Sequence, residues 1–176
     1  MPRVARQIAT SGIYHIMLRG INRQQIFEDD EDYQRMLQVL SGLHHQYSPL
    51  GERMPDTCCI YAYCLMGNHL HLLIRELDWT ISELIKSLAS TYVFYYNRKY
   101  GRIGHLFQDR FKSETCDDMS YFITLLRYIH QNPIKAGITL DANYRWSSWH
   151  EFVEPNSVEH LLHRSHLQAH HLSGTQ

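Results

Sequence analysis

The sequence predicts an α+β domain of the ferredoxin-like kind, in which a split βαβ order builds one antiparallel sheet, with two helices on one face and an additional C-terminal helix. Four segments have the apolar, aromatic and β-branched composition of strands. Two segments between them instead carry apolar residues at spacings of three and four, which is typical of amphipathic helices. The order strand, helix, strand, strand, helix, strand places the first and third strands at the centre of the sheet.

The first strand and the first helix lie in the N-terminal part of the chain. Residues 13–19 (IYHIMLR) are predicted to form the strand, and Gly20-Ile21-Asn22 to end it. The acidic run of residues 28–32 suits the N-terminus of a helix, where carboxylates complement the helix dipole. From about Asp30, apolar residues recur on one helical face: Tyr33, Met36, Leu37, Leu40, Leu43 and Tyr47.

A hairpin and the second helix follow. Residues 57–65 are predicted to be a strand, and the short turn Met66-Gly67-Asn68 leads into the next strand, so the two strands should pair antiparallel. Thr80 and Glu83 form a capping box, and Gly101 is the expected stop of this helix. Its predicted core face comprises Ile81, Leu84, Ile85, Leu88 and Tyr92. The fourth strand is predicted over residues 106–115.

A third helix is predicted over residues 117–132. Pro133 should end it, because the residue before a proline is pushed out of helical geometry. Tyr128 and Asn132 are four residues apart, so their side chains point the same way from the rim of the apolar face. That face comprises Tyr121, Phe122, Leu125, Leu126 and Ile129.

Composition and charge bound the class of protein. With 176 residues and 44% hydrophobic residues, the chain can build one cored domain, predicted over residues 1–153, and a His-rich tail over 154–176. No apolar run is long enough to cross a membrane and the first residues do not read as a secretory signal, so we expect a cytoplasmic protein. The four cysteines form no disulfide framework and are expected in the core. The net charge of −1 hides two basic stretches, residues 1–23 and 86–112, which are either solvated faces or a groove for a phosphate backbone.

The stretch GNHLHLLI contains two histidines, His69 and His71, one residue apart in a predicted strand. Alternate strand residues share a face, so both imidazoles lie side by side with Leu73, while Leu70, Leu72 and Ile74 face the helices. Their Cα atoms should be about 6.5–7 Å apart. This spacing permits joint binding of a metal ion or a phosphate, and it equally permits two structural, hydrogen-bonded histidines.

Five stretches occur in a distinctive order: YHIMLRGINRQ, CLMGNHLHLLI with its His-hydrophobic-His signature, GRIGHLFQDRFKS, RYIHQNPIKAGI and YRWSSWHEF. With them the chain resembles the HUH-type single-tyrosine, IS200-like transposases, most closely their REP-associated tyrosine transposase branch, over residues 10–152. The resemblance implies cleavage and rejoining of single-stranded DNA beside REP-like hairpins through a 5′-phosphotyrosine intermediate. It also implies a divalent metal, Mg²⁺ or Mn²⁺, and a monomer using its own tyrosine, with a helix-exchanged dimer as the alternative.

The resemblance assigns roles residue by residue. Tyr128 matches the nucleophile, His69 and His71 match the metal ligands, and Asn132 matches a third polar ligand. A phenol with a pKa near 10 is a weak nucleophile at neutral pH, so a cation or base must assist it. The DNA-binding candidates are Arg19, Asn22, Arg23, Arg110 and Lys112, which border the same sheet in the predicted fold. Two other function classes stay open: a non-catalytic regulator that binds hairpin DNA, and a metal-dependent nuclease that uses activated water.

Overall fold

The computed structural model describes residues 7–44, 50–52, 54–108 and 110–153. The strands and helices, in chain order, are β1 (Ile13–Arg19), α1 (Asp30–His44), β2 (Cys58–Met66), β3 (His69–Glu76), α2 (Ile81–Lys99), β4 (Lys112–Thr115), α3 (Met119–Lys135) and α4 (Trp149–Val153). A single 3-10 turn, Ile21–Arg23, follows β1. This confirms the predicted order through α3, whereas α4 was not predicted. Tyr47 and the His-rich segment lie outside the described residues.

The four strands form one antiparallel sheet in the order β2-β3-β1-β4. The first and third strands are therefore central, as predicted. In the register between β1 and β3, Met17 is paired with His71 and Arg19 with His69. On the other side of β1, Met17 is paired with Lys112. This register determines which side chains meet on the two faces of the sheet.

The two faces of the sheet are covered by different helices. Helices α1 and α2 lie over one face, where Leu70, Leu72 and Ile74 are fully buried in the larger core. Helix α3 packs on the opposite face, where Phe122, Leu125 and Ile129 contact side chains of β2 and Leu73 of β3. The face that the fold class leaves open is thus partly covered by α3. All four cysteines are buried and free, as expected.

Two predicted boundaries are wrong. The fourth strand comprises Lys112–Thr115 rather than residues 106–115, because Phe107 makes only an isolated bridge to Gly20. Helix α3 does not end before Pro133 but continues to Lys135. A proline removes one backbone donor, and this loss is tolerated here because it falls in the last helical turn, where Ala136 N still donates to Asn132 O at 2.9 Å. At its other end, Asp118 caps α3 by accepting from Tyr121 N at 2.9 Å.

Helix α2 begins and ends as predicted. Both hydrogen bonds of the capping box between Thr80 and Glu83 are present, and Gly101 adopts a left-handed φ of 61° just after the helix. Near its C-terminus, Lys99 makes ion pairs with Asp29 and the fully buried Asp32, so the acidic start of α1 is tied to α2. No helix among the described residues is both long and apolar enough to cross a membrane.

Candidate active site

The histidine pair and Tyr128 meet on the α3 face of the sheet. Because Leu70 and Leu72 are buried under α1 and α2, the alternation of β3 turns His69 and His71 toward α3. Their ring centroids are 5.1 Å apart. The ring of Tyr128, on α3, stands edge-on to that of His71 at a centroid distance of 5.7 Å. Tyr128 and His71, which are 57 positions apart in the chain, are thus brought into one cluster.

Burial keeps the strand histidines neutral. His71 is only 2% exposed, and burial is the main cause that lowers its pKa from 6.5 to about 3, with smaller contributions from the nearby His15, His69 and Arg19. The pKa of His69 is also lowered, by burial and then by the charge of Arg19. A neutral imidazole retains the nitrogen lone pair that a metal ion requires. Both rings are therefore in the protonation state of a ligand at neutral pH.

His15 is a third histidine in this cluster, and the sequence did not single it out. It lies on β1, and its Nε2 is 2.9 Å from Nδ1 of His71. On its other side, its Nδ1 is 3.4 Å from Oε2 of Glu114 on β4, whose Oε1 accepts a hydrogen bond from the Tyr121 hydroxyl. The His15 ring also stands edge-on to Tyr128 at 5.7 Å. The available sequence signal was the alternation with the buried Tyr14 and Ile16, which turns His15 to the α3 face.

Asn68 contacts Nδ1 of His69 in the way that His15 contacts Nδ1 of His71. Its Oδ1 is 2.6 Å from Nδ1 of His69, and its Nδ2 donates to the backbone oxygen of Arg23 at 3.3 Å. The loop after β1 thus rests on the β2–β3 turn. A Cβ at Gly67 in this turn would lie 2.2 Å from Oε1 of Gln25, so the flexible Gln25 side chain would have to move. Asn68 was predicted as a turn residue, not as part of the site.

Tyr128 and Asn132 lie one helical turn apart, as predicted. The Tyr128 side chain is 38% exposed, and Nζ of Lys135 lies 5.3 Å from its ring centroid. The Asn132 side chain turns toward its own helix, where Nδ2 donates to Tyr128 O at 2.8 Å. Its Oδ1 makes no hydrogen bond to any other described residue.

The predicted DNA-binding residues lie on β1, in the turn that follows it, on β4 and just before β4. Arg19 is paired with His69 across β1 and β3, and its Nε is buried without a hydrogen-bond partner among the described residues. Asn22 and Arg23 are exposed in the 3-10 turn, with left-handed φ values of 51° and 60°. Lys112 is exposed on β4, on the same face of the sheet as His15. Arg110 is exposed just before β4.

The side chains of His69, His71 and Asn132 suit a divalent metal that takes only some of its ligands from the protein. Among the residues that the structure describes, no group of three or more His, Cys, Asp or Glu side chains could hold a metal ion. The two neutral imidazoles of His69 and His71 would therefore need further oxygen ligands, from Asn132 Oδ1, water or a substrate phosphate. Such a mixed set suits Mn²⁺ through its imidazoles and Mg²⁺ through its oxygens.

Comparisons with known proteins identify a family and solved structures to which the chain is similar. A family model described as IS200-like transposase matches residues 9–132. The chain is similar in fold to a REP-associated tyrosine transposase bound to a REP hairpin, with a TM-score of 0.66 and 16% identity over 93% of this chain and 91% of that chain. It also matches a candidate transposase from Deinococcus radiodurans R1, with a TM-score of 0.46 and 14% identity over 73% of this chain and 95% of that chain. A search of curated proteins finds no match.

Proposed function

This chain belongs to the IS200-like transposase family, and we propose that it is a metal-dependent enzyme that cleaves and rejoins single-stranded DNA beside REP-type hairpins. Tyr128 is the proposed nucleophile, and His69 and His71 are the proposed metal ligands, with Asn132 as a third. The observation that carries the proposal is the contact between the exposed Tyr128 ring and the His71 ring, on the sheet face that also holds His69.

The proposed chemistry is an in-line displacement at one phosphodiester. The Tyr128 oxygen forms a bond to phosphorus as the bond from phosphorus to the 3′ oxygen breaks, which leaves a 5′-phosphotyrosine and a free 3′-hydroxyl. The phenol loses its proton and the departing 3′ oxygen gains one. A divalent metal, Mg²⁺ or Mn²⁺, would supply charge neutralisation of the phosphate. The broken phosphoester bond is replaced by the one to Tyr128, so rejoining needs no nucleotide cofactor.

Basic side chains support the proposed binding of DNA. The Lys135 ammonium lies 5.3 Å from the Tyr128 ring centroid, so it adds a positive charge beside the proposed nucleophile that a DNA phosphate can pair with. Arg19 is paired with His69 across β1 and β3, so its guanidinium adds a positive charge near the proposed metal ligands, and guanidinium groups bind phosphate oxygens well. Asn22, Arg23, Arg110 and Lys112 would contact the flanking backbone. A structural relative is bound to a REP hairpin, which supports a hairpin substrate here.

We further propose that the protein acts as a monomer with its own tyrosine. Helix α3 packs against β2 and β3 of its own sheet through Phe122, Leu125 and Ile129, so Tyr128 lies beside the histidines of the same chain. A helix-exchanged dimer would require this apolar contact to be broken and formed again between two chains.

The test is trapping of the covalent intermediate. A labelled single strand that carries a REP-like hairpin, incubated with protein and Mg²⁺ or Mn²⁺, should yield a denaturation-resistant adduct that peptide mapping places on Tyr128. Tyr128→Phe should remove adduct and cleavage while DNA binding persists. Tyr95→Phe is the matched control, because it removes a hydroxyl from α2 on the opposite side of the sheet.

The same experiment separates the rival functions. If Tyr128→Phe still cleaves, the nucleophile is water or another residue, and the protein is a nuclease of a different kind. If the wild-type protein binds the hairpin but never cleaves it with either metal, it is a hairpin-binding regulator.

A further inference from the structure

We propose that His15 and Asn68 are positioning residues that hold His71 and His69 in the same tautomer, with the proton on Nδ1 and the lone pair of Nε2 facing the site. This inference rests on the proposed function, because it explains how two side chains of the described cluster would be prepared for a metal. It follows from two hydrogen-bond chains, each of which begins at a group that can only accept.

The first chain begins at the backbone oxygen of Arg23. A carbonyl accepts only, so the Asn68 group 3.3 Å from it must be the NH₂, and the Asn68 carbonyl oxygen must face His69. That oxygen also accepts only, and it lies 2.6 Å from Nδ1 of His69. Nδ1 of His69 therefore carries the proton. In a neutral imidazole the other nitrogen, Nε2, is then the one with the lone pair.

The second chain begins at the carboxylate of Glu114. It accepts the Tyr121 hydroxyl on one oxygen and faces Nδ1 of His15 with the other at 3.4 Å, so Nδ1 of His15 carries a proton. Nε2 of neutral His15 is then an acceptor, and at 2.9 Å it takes the proton of His71 Nδ1. His71 is left with its lone pair on Nε2, as His69 is.

The geometry of the His15 and His71 rings agrees with this bond. Their centroids are 5.2 Å apart and their planes differ by 13°. Two nearly coplanar imidazoles joined edge to edge by an in-line N–H···N bond give such values, whereas rings stacked face to face would have closer centroids. His69 and His71 make no further hydrogen bond to a described residue, so the Nε2 atoms of both remain available. Outer-shell partners of this kind orient metal-bound histidines and raise their basicity.

The first measurement uses the metal-free protein and does not depend on activity. Long-range ¹H–¹⁵N correlation spectra at pH 8 should find His69 and His71 protonated on Nδ1. His15→Phe retains a ring in contact with His71 but no acceptor, so His71 should lose its single tautomer. His15→Gln should preserve it, because an amide can accept from His71 and donate to Glu114. Asn68→Ala should change the tautomer of His69 and leave that of His71 unchanged.

The second measurement is Mn²⁺ affinity by calorimetry. His15→Phe should weaken binding about 10–100-fold, the usual cost of losing an outer-shell partner, and His15→Gln should restore most of it. Glu114→Ala provides a variant at an exposed side chain, so the fold is preserved. It removes the acceptor that keeps the proton on Nδ1 of His15, so His71 should lose its single tautomer and the Mn²⁺ affinity should fall.

The outcomes separate this inference from the proposed function. An unchanged His71 tautomer and unchanged Mn²⁺ affinity in folded His15→Phe and Glu114→Ala would overturn the role of His15 and leave the metal site standing. If the tautomers respond as expected but the wild-type protein does not bind Mn²⁺, the positioning role is supported and the metal role in the proposed function is refuted.

Discussion

Two buried histidine clusters adjoin helix α3, and they differ in how completely their hydrogen bonds are used. In the first, which we call the closed cluster, His130 of α3 lies with Tyr63, Ser148 and Glu151. Nδ1 of His130 donates to Leu126 O at 2.9 Å, and Nε2 accepts from the Ser148 hydroxyl at 2.8 Å. The Tyr63 hydroxyl donates to Glu151 at 3.0 Å. Both ring nitrogens of His130 are thus occupied.

In the second, which we call the open cluster, His69 and His71 lie with His15, Tyr128 and Glu114. Here Nδ1 of His69 and Nδ1 of His71 each make a hydrogen bond, but their Nε2 atoms make none to a described residue. Burial lowers the histidine pKa in both clusters, to about 3 for His71 and about 4 for His130. Burial and pKa therefore do not distinguish a structural histidine from a candidate ligand. The two kinds are distinguished by Nε2, which has a hydrogen-bond partner in His130 but none among the described residues in His69 and His71.

The largest expected difference between the clusters is in metal binding and cleavage. His69→Ala should lower Mn²⁺ affinity more than about 100-fold and DNA cleavage about 10³-fold, because a metal contributes several kcal/mol to stabilising charge at the phosphate. His130→Ala should leave Mn²⁺ affinity unchanged per folded molecule. Calorimetry and single-turnover cleavage measure the two effects. Equal Mn²⁺ affinity of wild type and His69→Ala would remove the distinction between the clusters.

Stability should respond in the opposite way. His130→Ala leaves a cavity and removes the buried hydrogen bonds of His130 to Ser148 and Leu126, so the free energy of unfolding should fall by about 2–4 kcal/mol. His69→Ala, at a partly exposed side chain, should cost less than about 1 kcal/mol. Denaturant titrations followed by circular dichroism measure both values. A larger loss in His69→Ala than in His130→Ala would contradict the assignment of the closed cluster as the structural one.

Acid should destabilise both clusters by the same mechanism. In the folded protein the pKa of His71 is lowered from 6.5 to about 3 and that of His130 to about 4. From pH 6.5 down to these folded-state values, the unfolded chain therefore binds more protons than the folded chain. Stability should therefore be lost as the pH falls below 6.5, by up to about 1.4 kcal/mol per pH unit for each histidine. Unfolding titrations at pH 7, 6 and 5 measure this slope. His130→Gln should flatten it; an unchanged slope would mean that His130 does not contribute.

The smallest expected effect is that of Lys112, an exposed cation on the face of the sheet that holds the open cluster. Lys112→Ala removes one exposed cation on the sheet face that holds His15, so hairpin DNA should bind a few-fold more weakly, and the salt dependence should lose about one unit of slope. Lys86→Ala on α2, across the sheet, is the matched control and should change neither. Gel shifts at two salt concentrations test this. Equal losses in both variants would indicate non-specific electrostatic binding without a preferred face.

Comparison of the predicted and observed elements separates local from long-range information. The capping box of α2, the antiparallel hairpin and the shared face of His69 and His71 were predicted, since each depends on residues within a few positions of one another. The length of β4 was not predicted, because it depends on which backbone groups lie alongside in space. The passage of α3 through Pro133 was not predicted either, although its reason is local: the last helical turn tolerates the lost donor. His15 was missed because its contact with His71 depends on how β1 and β3 pair.

The sequence by itself determined the order of elements from β1 to α3, the face of β3 that carries the histidines, and the helical turn that separates Tyr128 from Asn132. These follow from the period of two in a strand and of about 3.6 in a helix, which the backbone imposes wherever the segment lies. Only the tertiary structure decided that His15 meets His71, that Asn68 joins the loop after β1 to His69, and that Tyr128 faces both strands. Those contacts depend on strand register and on how α3 packs, and both are decided by burial of the whole apolar surface rather than by any local spacing.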